Sequence, residues 1–244
     1  MGVASQSAAG RTGFEARLRA LGKYYHSHHP YQMMMNRGEL SRHQLQGWVA
    51  NRYYYQISIP LKDAALISQC PDRAVRRHWL HRLLDQDGRT GSEGGIEAWI
   101  NLGEAVGLSR TELISERQVL PGVRFAVDAY VNLVRWGSWQ DGVCASLTEL
   151  FAPGIHRERL NSWPTHYPWV DPAGLAYFRS RLEVARQDGR HGLALVLDHC
   201  DTPASQDRAV RIVKFKLEVL WAMLDAMYLA YVVGMPPFFN VAGD

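Results

Sequence analysis

The stretch Ser41–Gln56, "SRHQLQGWVANRYYYQ", decides the fold class. Ser41 stands three residues before Gln44, so the serine hydroxyl and the glutamine side chain can satisfy each other's free backbone N–H groups in a capping box. Behind this start signal, Leu45, Trp48, Val49, Tyr53 and Gln56 recur at three- and four-residue spacing, the period of a helix with one buried face. The same grammar recurs outward along the chain. Ser109 and Glu112 form a second capping box. Asp72 precedes "RAVRRHWLHRLLDQDG", which stops at Gly88. "GGIEAWINLGEAVGL", "GVRFAVDAYVNLVRWG", "WQDGVCASLTELFAP" and "PAGLAYFRSRLEVARQDG" each carry a helical stripe and end at Gly or Pro, and a last long element spans about Gln206 to Val233. Pro60 should kink or break the helix that starts at Ser41. No alternating strand pattern or Asn-Gly hairpin is present. The expectation is all-α: one helical bundle of roughly seven to nine helices over residues 1–244, with about 1–12 and 237–244 loose.

Composition narrows the function classes. The 244 residues carry 27 Lys and Arg against 24 Asp and Glu, a net charge of +3 with no block of one sign. That argues against a nucleic-acid partner. The longest apolar run, "LEVLWAMLDAMYLAYVVGM", contains Glu218 and Asp225, which suits a buried helix better than a membrane span. The N-terminus lacks the apolar run of a signal peptide. Cys70, Cys144 and Cys200 are too scattered for a disulfide framework or a CxxC metal site. These features predict a soluble, cytoplasmic protein.

Polar residues inside helical stripes mark the candidate site. Lys214 shares a face with Glu218, Trp221 and Asp225, a solvated set. Lys216 instead shares a face with Leu220, Met223 and Met227. A lysine on such a stripe either snorkels to solvent or meets an anionic ligand. Arg52, Tyr55 and Gln56 share one face, as do Arg82 with Gln86, His156 with Arg159, and Tyr177 with Arg181. Each pair alone reads as a surface ladder. Together they suggest a cationic, donor-rich cavity within a bundle, suited to a small polycarboxylate or quinone. The cluster "KYYHSHHPYQMMM" from Lys23 to Met35 adds three histidines. Its spacing does not converge on a metal. The Glu-x-x-His pairs of di-iron bundles and HExxH are both absent, the nearest approach being Asp188 with His191. Haem needs one histidine and stays open. A Cys144 nucleophile is a further alternative, although nothing nearby in sequence activates its thiol.

Ten longer motifs carry a family resemblance: "YYHSHHPY", "QGWVANRYYYQ", "IPLKDAA", "GGIEAWINLGEAVGLSR", "LPGVRFAVDAYVN", "SLTELFAP", "SWPTHYPWV", "YFRSRL", "HGLAL" and "FKLEVLWAMLDAM". Over about Phe14 to Pro237 the chain resembles the pyrroloquinoline quinone (PQQ) synthase family. The resemblance implies a haem-oxygenase-like bundle, a homodimer, and an oxidase free of metal and organic cofactor. Its reaction is ring closure and eight-electron oxidation of a bicyclic tricarboxylate precursor, with O2 as oxidant, H2O2 released and PQQ as product. It also implies that Tyr25, His26, Arg52, Tyr55, Gln56, Arg82, Tyr130, Glu149, Arg159 and Lys216 bind substrate, with His28 and His29 structural. His156, Tyr177 and Arg181 would handle protons and oxygen. Gln86, in "LLDQDG", stands where the family pattern leads one to expect histidine; it can donate a hydrogen bond to a quinone oxygen but cannot exchange protons near neutral pH. The alternatives are a thiaminase-type hydrolase using Cys144 and a non-catalytic PQQ carrier.

Overall fold

In a computed structural model, residues 8–235 are described, and they contain helices and turns with no strand. The α-helices are α1 Ala8–Ala20, α2 Pro30–Arg37, α3 Arg42–Gln69, α4 Arg73–Asp87, α5 Gly94–Ala105, α6 Arg110–Ile114, α7 Pro121–Trp136, α8 Trp139–Ser146, α9 Ala152–His166, α10 Ala176–His199 and α11 Pro203–Met227. Short α2 and α6 add to the seven to nine that periodicity separates. Helix α1 already begins at Ala8, so residues 8–12 are helical rather than loose. The rest of the termini expected to be loose, 1–7 and 237–244, lies outside the described residues.

The start and stop signals act as read. Ser41 accepts from the Gln44 N–H at 3.2 Å while the Gln44 side chain accepts from the Ser41 N–H at 2.8 Å. Ser109 and Glu112 repeat the arrangement, Asp72 accepts from the N–H groups of Ala74 and Val75, and Gly88 closes α4 with φ 93°. Two expectations fail. Helix α3 runs unbroken through Pro60 for 28 residues, a length of about 42 Å at 1.5 Å per residue. The ring removes one intrahelical bond, and packing of α3 against α4, α5, α7 and α8 holds the helix together across that gap. Helix α10 likewise continues past Gly189. A Cβ there would sit 3.2 Å from the Leu150 N, so this glycine serves a close helix–backbone approach, not a stop.

Helix α3 is the axle of the core. Asn51 is fully buried on it. Its Nδ2 donates to the carbonyls of Gly47 (2.9 Å) and Gln118 (3.2 Å) and to the Tyr231 hydroxyl (3.3 Å), and its Oδ1 accepts from the Leu120 N–H at 2.8 Å. One amide thus ties α3 to the start of α7 and to the π-helical turn Tyr228–Val233 that follows α11. Gly47 makes the last contact possible, since a Cβ there would lie 2.5 Å from the Tyr231 ring. Beside this joint, Trp48 packs on Trp99 (5.3 Å) and Trp163 (5.9 Å), and Trp99 meets Tyr177 edge-on at 4.7 Å. No helix among the described residues is long and apolar enough to cross a membrane.

Replacing Asn51 with Leu leaves the buried Leu120 N–H and Gln118 carbonyl unpartnered. Each such group costs about 1–3 kcal/mol. Urea unfolding of Asn51→Leu should therefore show a loss of at least about 1 kcal/mol, and a midpoint equal to that of the parent chain would refute this role.

Candidate active site

Seven elements surround a cavity of about 60 Å3. The turns at Leu21–Tyr24 and His26–His28 present Tyr25 and His26. Helix α3 presents Trp48, Arg52 and Tyr55, and the 3-10 turn Leu147–Leu150 presents Glu149. Helix α9 supplies His156 and Arg159, and α10 supplies Tyr177 and Arg181. Leu220, Met223 and Met227 of α11 form an apolar side. The faces read from helical spacing therefore converge: Arg52 with Tyr55, His156 with Arg159, and Tyr177 with Arg181 line one space.

The remaining candidates form a layer behind this wall. Lys216 is fully buried; its Nζ donates to the Tyr55 hydroxyl at 2.8 Å and lies 3.6 Å from the centroid of the Tyr130 ring, which stacks with Tyr55 at 6.1 Å and 11°. Gln56 accepts from the Tyr177 hydroxyl at 2.8 Å and donates to Gln86. Gln86 thus orients Gln56 and, through it, the phenol. It does not reach the cavity alongside Arg82 as the spacing suggested, because its amide is taken up by Gln56 and seated against Gly95, where a Cβ would lie 2.5 Å from the Gln86 Oε1. Arg82 is turned toward carboxylates: 2.5 Å from Asp188, 3.8 Å from Glu149 and 4.0 Å from Asp63.

Sequence reasoning missed several members of this layer. Lys62 and Asp63 are buried and paired, with Lys62 also donating to Ser146 at 3.1 Å. Asp188 joins Arg82 to His78, and Gln32 accepts from Arg159 at 2.6 Å. Their signal was present only as burial of charged residues on otherwise apolar helices. Cys144 is a correction of another kind. It is buried outside the cavity, facing Cys200, and the interaction with Cys200 together with burial pushes its thiol well above the ordinary range. It has neither the access nor the thiolate character of a nucleophile. His28 is exposed, whereas His29 caps α2: its Nδ1 accepts from the Tyr31 N–H, so its Nε2–H donates to Asp225 at 3.0 Å. Among the described residues, no group of three or more His, Cys, Asp or Glu side chains is arranged to hold a metal ion.

Electrostatics separates two kinds of cation here. Arg82 and Arg181 share Glu149, at 3.8 and 3.7 Å. Burial works against the charge on Arg82, but Asp63, Asp188 and Glu149 together raise its pKa. Arg52, Arg159 and Lys216 have no carboxylate within ion-pair distance among the described residues. Arg52 lies 3.9 Å over the Tyr55 ring and Arg159 lies 4.7 Å over Trp48. Burial, with Arg52 adding to it, pulls the Arg159 pKa down to about 10. Burial and the charges of Arg52 and Lys62 lower Lys216 well below the usual lysine range. Burial and then Arg159, Arg181 and Arg52 lower His156 in the same way, so its imidazole is neutral at pH 7. Three cations without counter-ions and a neutral imidazole make a cavity tuned for an anion.

The depressed His156 pKa has a thermodynamic sign. Below about pH 6.5 the unfolded histidine binds a proton that the folded one refuses, so stability falls on acidification, by up to about 1.4 kcal/mol per pH unit for one such group. Urea unfolding between pH 7.5 and 5.5 should show this loss, and His156→Asn should flatten it by about one proton. An unchanged slope in the variant would disprove the assignment.

Comparison with known proteins agrees with this geometry. A profile of the TENA/THI-4/PQQC family matches residues 15–226. The pyrroloquinoline-quinone synthase of Pseudomonas putida (strain GB-1) is 60% identical over 95% of this chain and 92% of its own length. That of Pseudomonas aeruginosa (strain LESB58) is 58% identical over 98% and 96%. Among solved structures, a protein of unknown function with a heme oxygenase-like fold from Shewanella denitrificans OS217 superposes with a TM-score of 0.77 at 13% identity, over 93% of this chain and 96% of that one. A TenA homolog from Pseudomonas syringae gives 0.71 at 12%, over 93% and 95%. An all-helical chain with this fold and this degree of identity belongs to the TENA/THI-4/PQQC family.

Proposed function

We propose that this chain is a pyrroloquinoline-quinone synthase. It takes a bicyclic tricarboxylate quinone precursor, closes the last ring and oxidises it by eight electrons, with O2 as acceptor and H2O2 released, without metal or organic cofactor. The observation that carries the reading is a set of three cations lacking counter-ions, the buried Arg159 and Lys216 and the half-buried Arg52, in and directly behind the cavity. A tricarboxylate supplies the missing charge, with the arginines binding in bidentate fashion and Lys216 acting as a point charge through the Tyr55 layer. A carrier role would need the anion site alone. The buried phenol–amide wire from Tyr177 to Gln56, with a neutral histidine whose ring centroid is 6.2 Å from that of Tyr177, favours proton chemistry instead.

The roles divide as follows. His156 is a weak base because burial, and then repulsion by three arginines, disfavours its proton. Carboxylates of the bound precursor offset that repulsion and raise its proton affinity toward neutrality, where general base action is most effective. Tyr177, held by Gln56 and at one remove by Gln86, donates or receives protons at a quinone oxygen. Arg181, sharing Glu149 with Arg82, stabilises negative charge developing on reduced oxygen. Tyr25 and His26 complete the wall. The enzyme acts in the cytoplasm, and its three cysteines are free thiols.

The enzyme works as a homodimer. Helices α3 and α7 lie side by side, with Tyr54 donating to Asp128 and Gln69 to the carbonyls of Val134 and Arg135. Their outer seam exposes Leu61 (54%), Phe125 (74%) and Trp136 (81%). Apolar side chains aligned in this way mark a protein contact.

Two outcomes test these statements. Single-turnover absorbance with precursor and oxygen should show PQQ formation, slowed in His156→Asn by about a hundred- to ten-thousand-fold while PQQ binding is retained. Oxidation at the parent rate in that variant would remove His156 from the mechanism, and absence of PQQ from the parent enzyme would sink the reading itself. Light scattering should give twice 27.6 kDa for the parent chain and the single mass for a Phe125→Glu, Trp136→Glu double variant. A monomeric parent would overturn the dimer.

A further inference from the structure

Cys144 and Cys200 are unused by the chemistry above, yet they sit together. Cys144 lies within α8, and Cys200 is the residue that ends α10. They are 3% and 5% exposed and face the same narrow gap between the two helices, lined also by Val143, Leu195 and Val196. Trp139 closes it by meeting the His199 ring edge-on at 4.9 Å. Across this gap the two thiols influence each other: their interaction favours the thiolate of Cys200 in spite of burial, while it and burial raise the Cys144 pKa. The two thiols are therefore unequal, one favoured as a thiolate and the other held as the proton-bearing partner. Cys200 is also near solvent: its neighbours His199 and Asp201 are both exposed, and a helix end opens more easily than a helix interior. Cys70 is elsewhere, its thiol pointing to the Asp72 carbonyl at 3.6 Å.

We propose that Cys144 and Cys200 form a redox-active dithiol that a hydroperoxide converts to a disulfide joining α8 to the end of α10. The Cys200 thiolate attacks the peroxide, the O–O bond breaks, and Cys200 becomes a sulfenic acid as water or an alcohol leaves. The sulfur of Cys144 then displaces the hydroxyl, giving the S–S bond and water. Two thiols lose two electrons, and one peroxide gains them. The pair bridges the two helices that bear on Glu149 and Arg181: α8 runs directly into the Leu147–Leu150 turn, and α10 carries Arg181. The reaction proposed above releases H2O2, but the dithiol stands without it, and the test uses added peroxide with no precursor, so its failure leaves that reading untouched.

The experiment treats the reduced full-length protein with a small excess of H2O2, alkylates it under denaturing conditions and maps the peptides by mass spectrometry. The expected result is loss of two hydrogens from the intact mass, a linked Cys144–Cys200 peptide, Cys70 alone alkylated, and reversal by dithiothreitol. Cys144→Ser should stop at the sulfenic acid of Cys200, trapped by dimedone. Three alkylated thiols after peroxide, a link through Cys70, or over-oxidised Cys200 with Cys144 still free would each overturn the proposal.

Discussion

The constraint on which everything else in this structure rests is positive charge buried without a partner. The buried Arg159 and Lys216, with the half-buried Arg52, face aromatic rings and amides where carboxylates would lower the electrostatic free energy. Taking an ion out of water costs several kcal/mol even after relaxation. Cation–π contacts return about 0.5–2 kcal/mol each, so the protein's own groups compensate these charges only in part. The rest of the bundle supplies what tolerates it: an aromatic core around Trp48, Trp99 and Trp163, and a second rank of cations, Arg82 and Arg181, that do have carboxylates. Glu149 satisfies those two and is thereby kept from pairing with the three that await a ligand.

Close backbone approach is the device that puts this carboxylate in place. The turn Leu147–Leu150 lies directly on α10 at Gly189, where the backbone of Glu149 and Leu150 occupies the space of a side chain. Gly47 does the same for Tyr231, and Gly95 for the Gln86 amide. Each of these glycines sits in the interior or at the start of a helix, at a local cost of roughly 1 kcal/mol against alanine, and each sets the depth of one part of the site.

How much of this was legible in the sequence depended on whether the information was local. Helix starts were legible because Ser41 with Gln44 and Ser109 with Glu112 carry their own partners three residues away. The burial of Lys216 and the solvation of Lys214 were legible because a helix converts spacing into a face. Gly189 was misread because a glycine that ends a helix and one that admits a neighbouring backbone look alike along the chain. Gln86 was placed too far forward for a related reason: spacing gives the direction of a side chain but not its depth, and a second amide, Gln56, stands between it and the cavity. Lys62 and Asp63 were passed over because adjacent opposite charges normally mark a solvated surface, and only the assembled bundle shows them sealed inside. The chemistry itself came from family resemblance, since no periodicity encodes a reaction.

The order in which α11 is made has a consequence for synthesis. This helix carries Lys216 and the apolar side of the cavity, and the turn beyond it plugs onto α3 through Tyr231. Domains generally fold from the N-terminus as they emerge, yet here α7 lacks α11, one of the two helices it packs against most, until the last 33 described residues, from Pro203 to Met235, have left the ribosome. Until then the nascent bundle has an open, positively charged cleft with an apolar rim. A chain ending before α11 would lack Lys216 and the apolar side of the cavity.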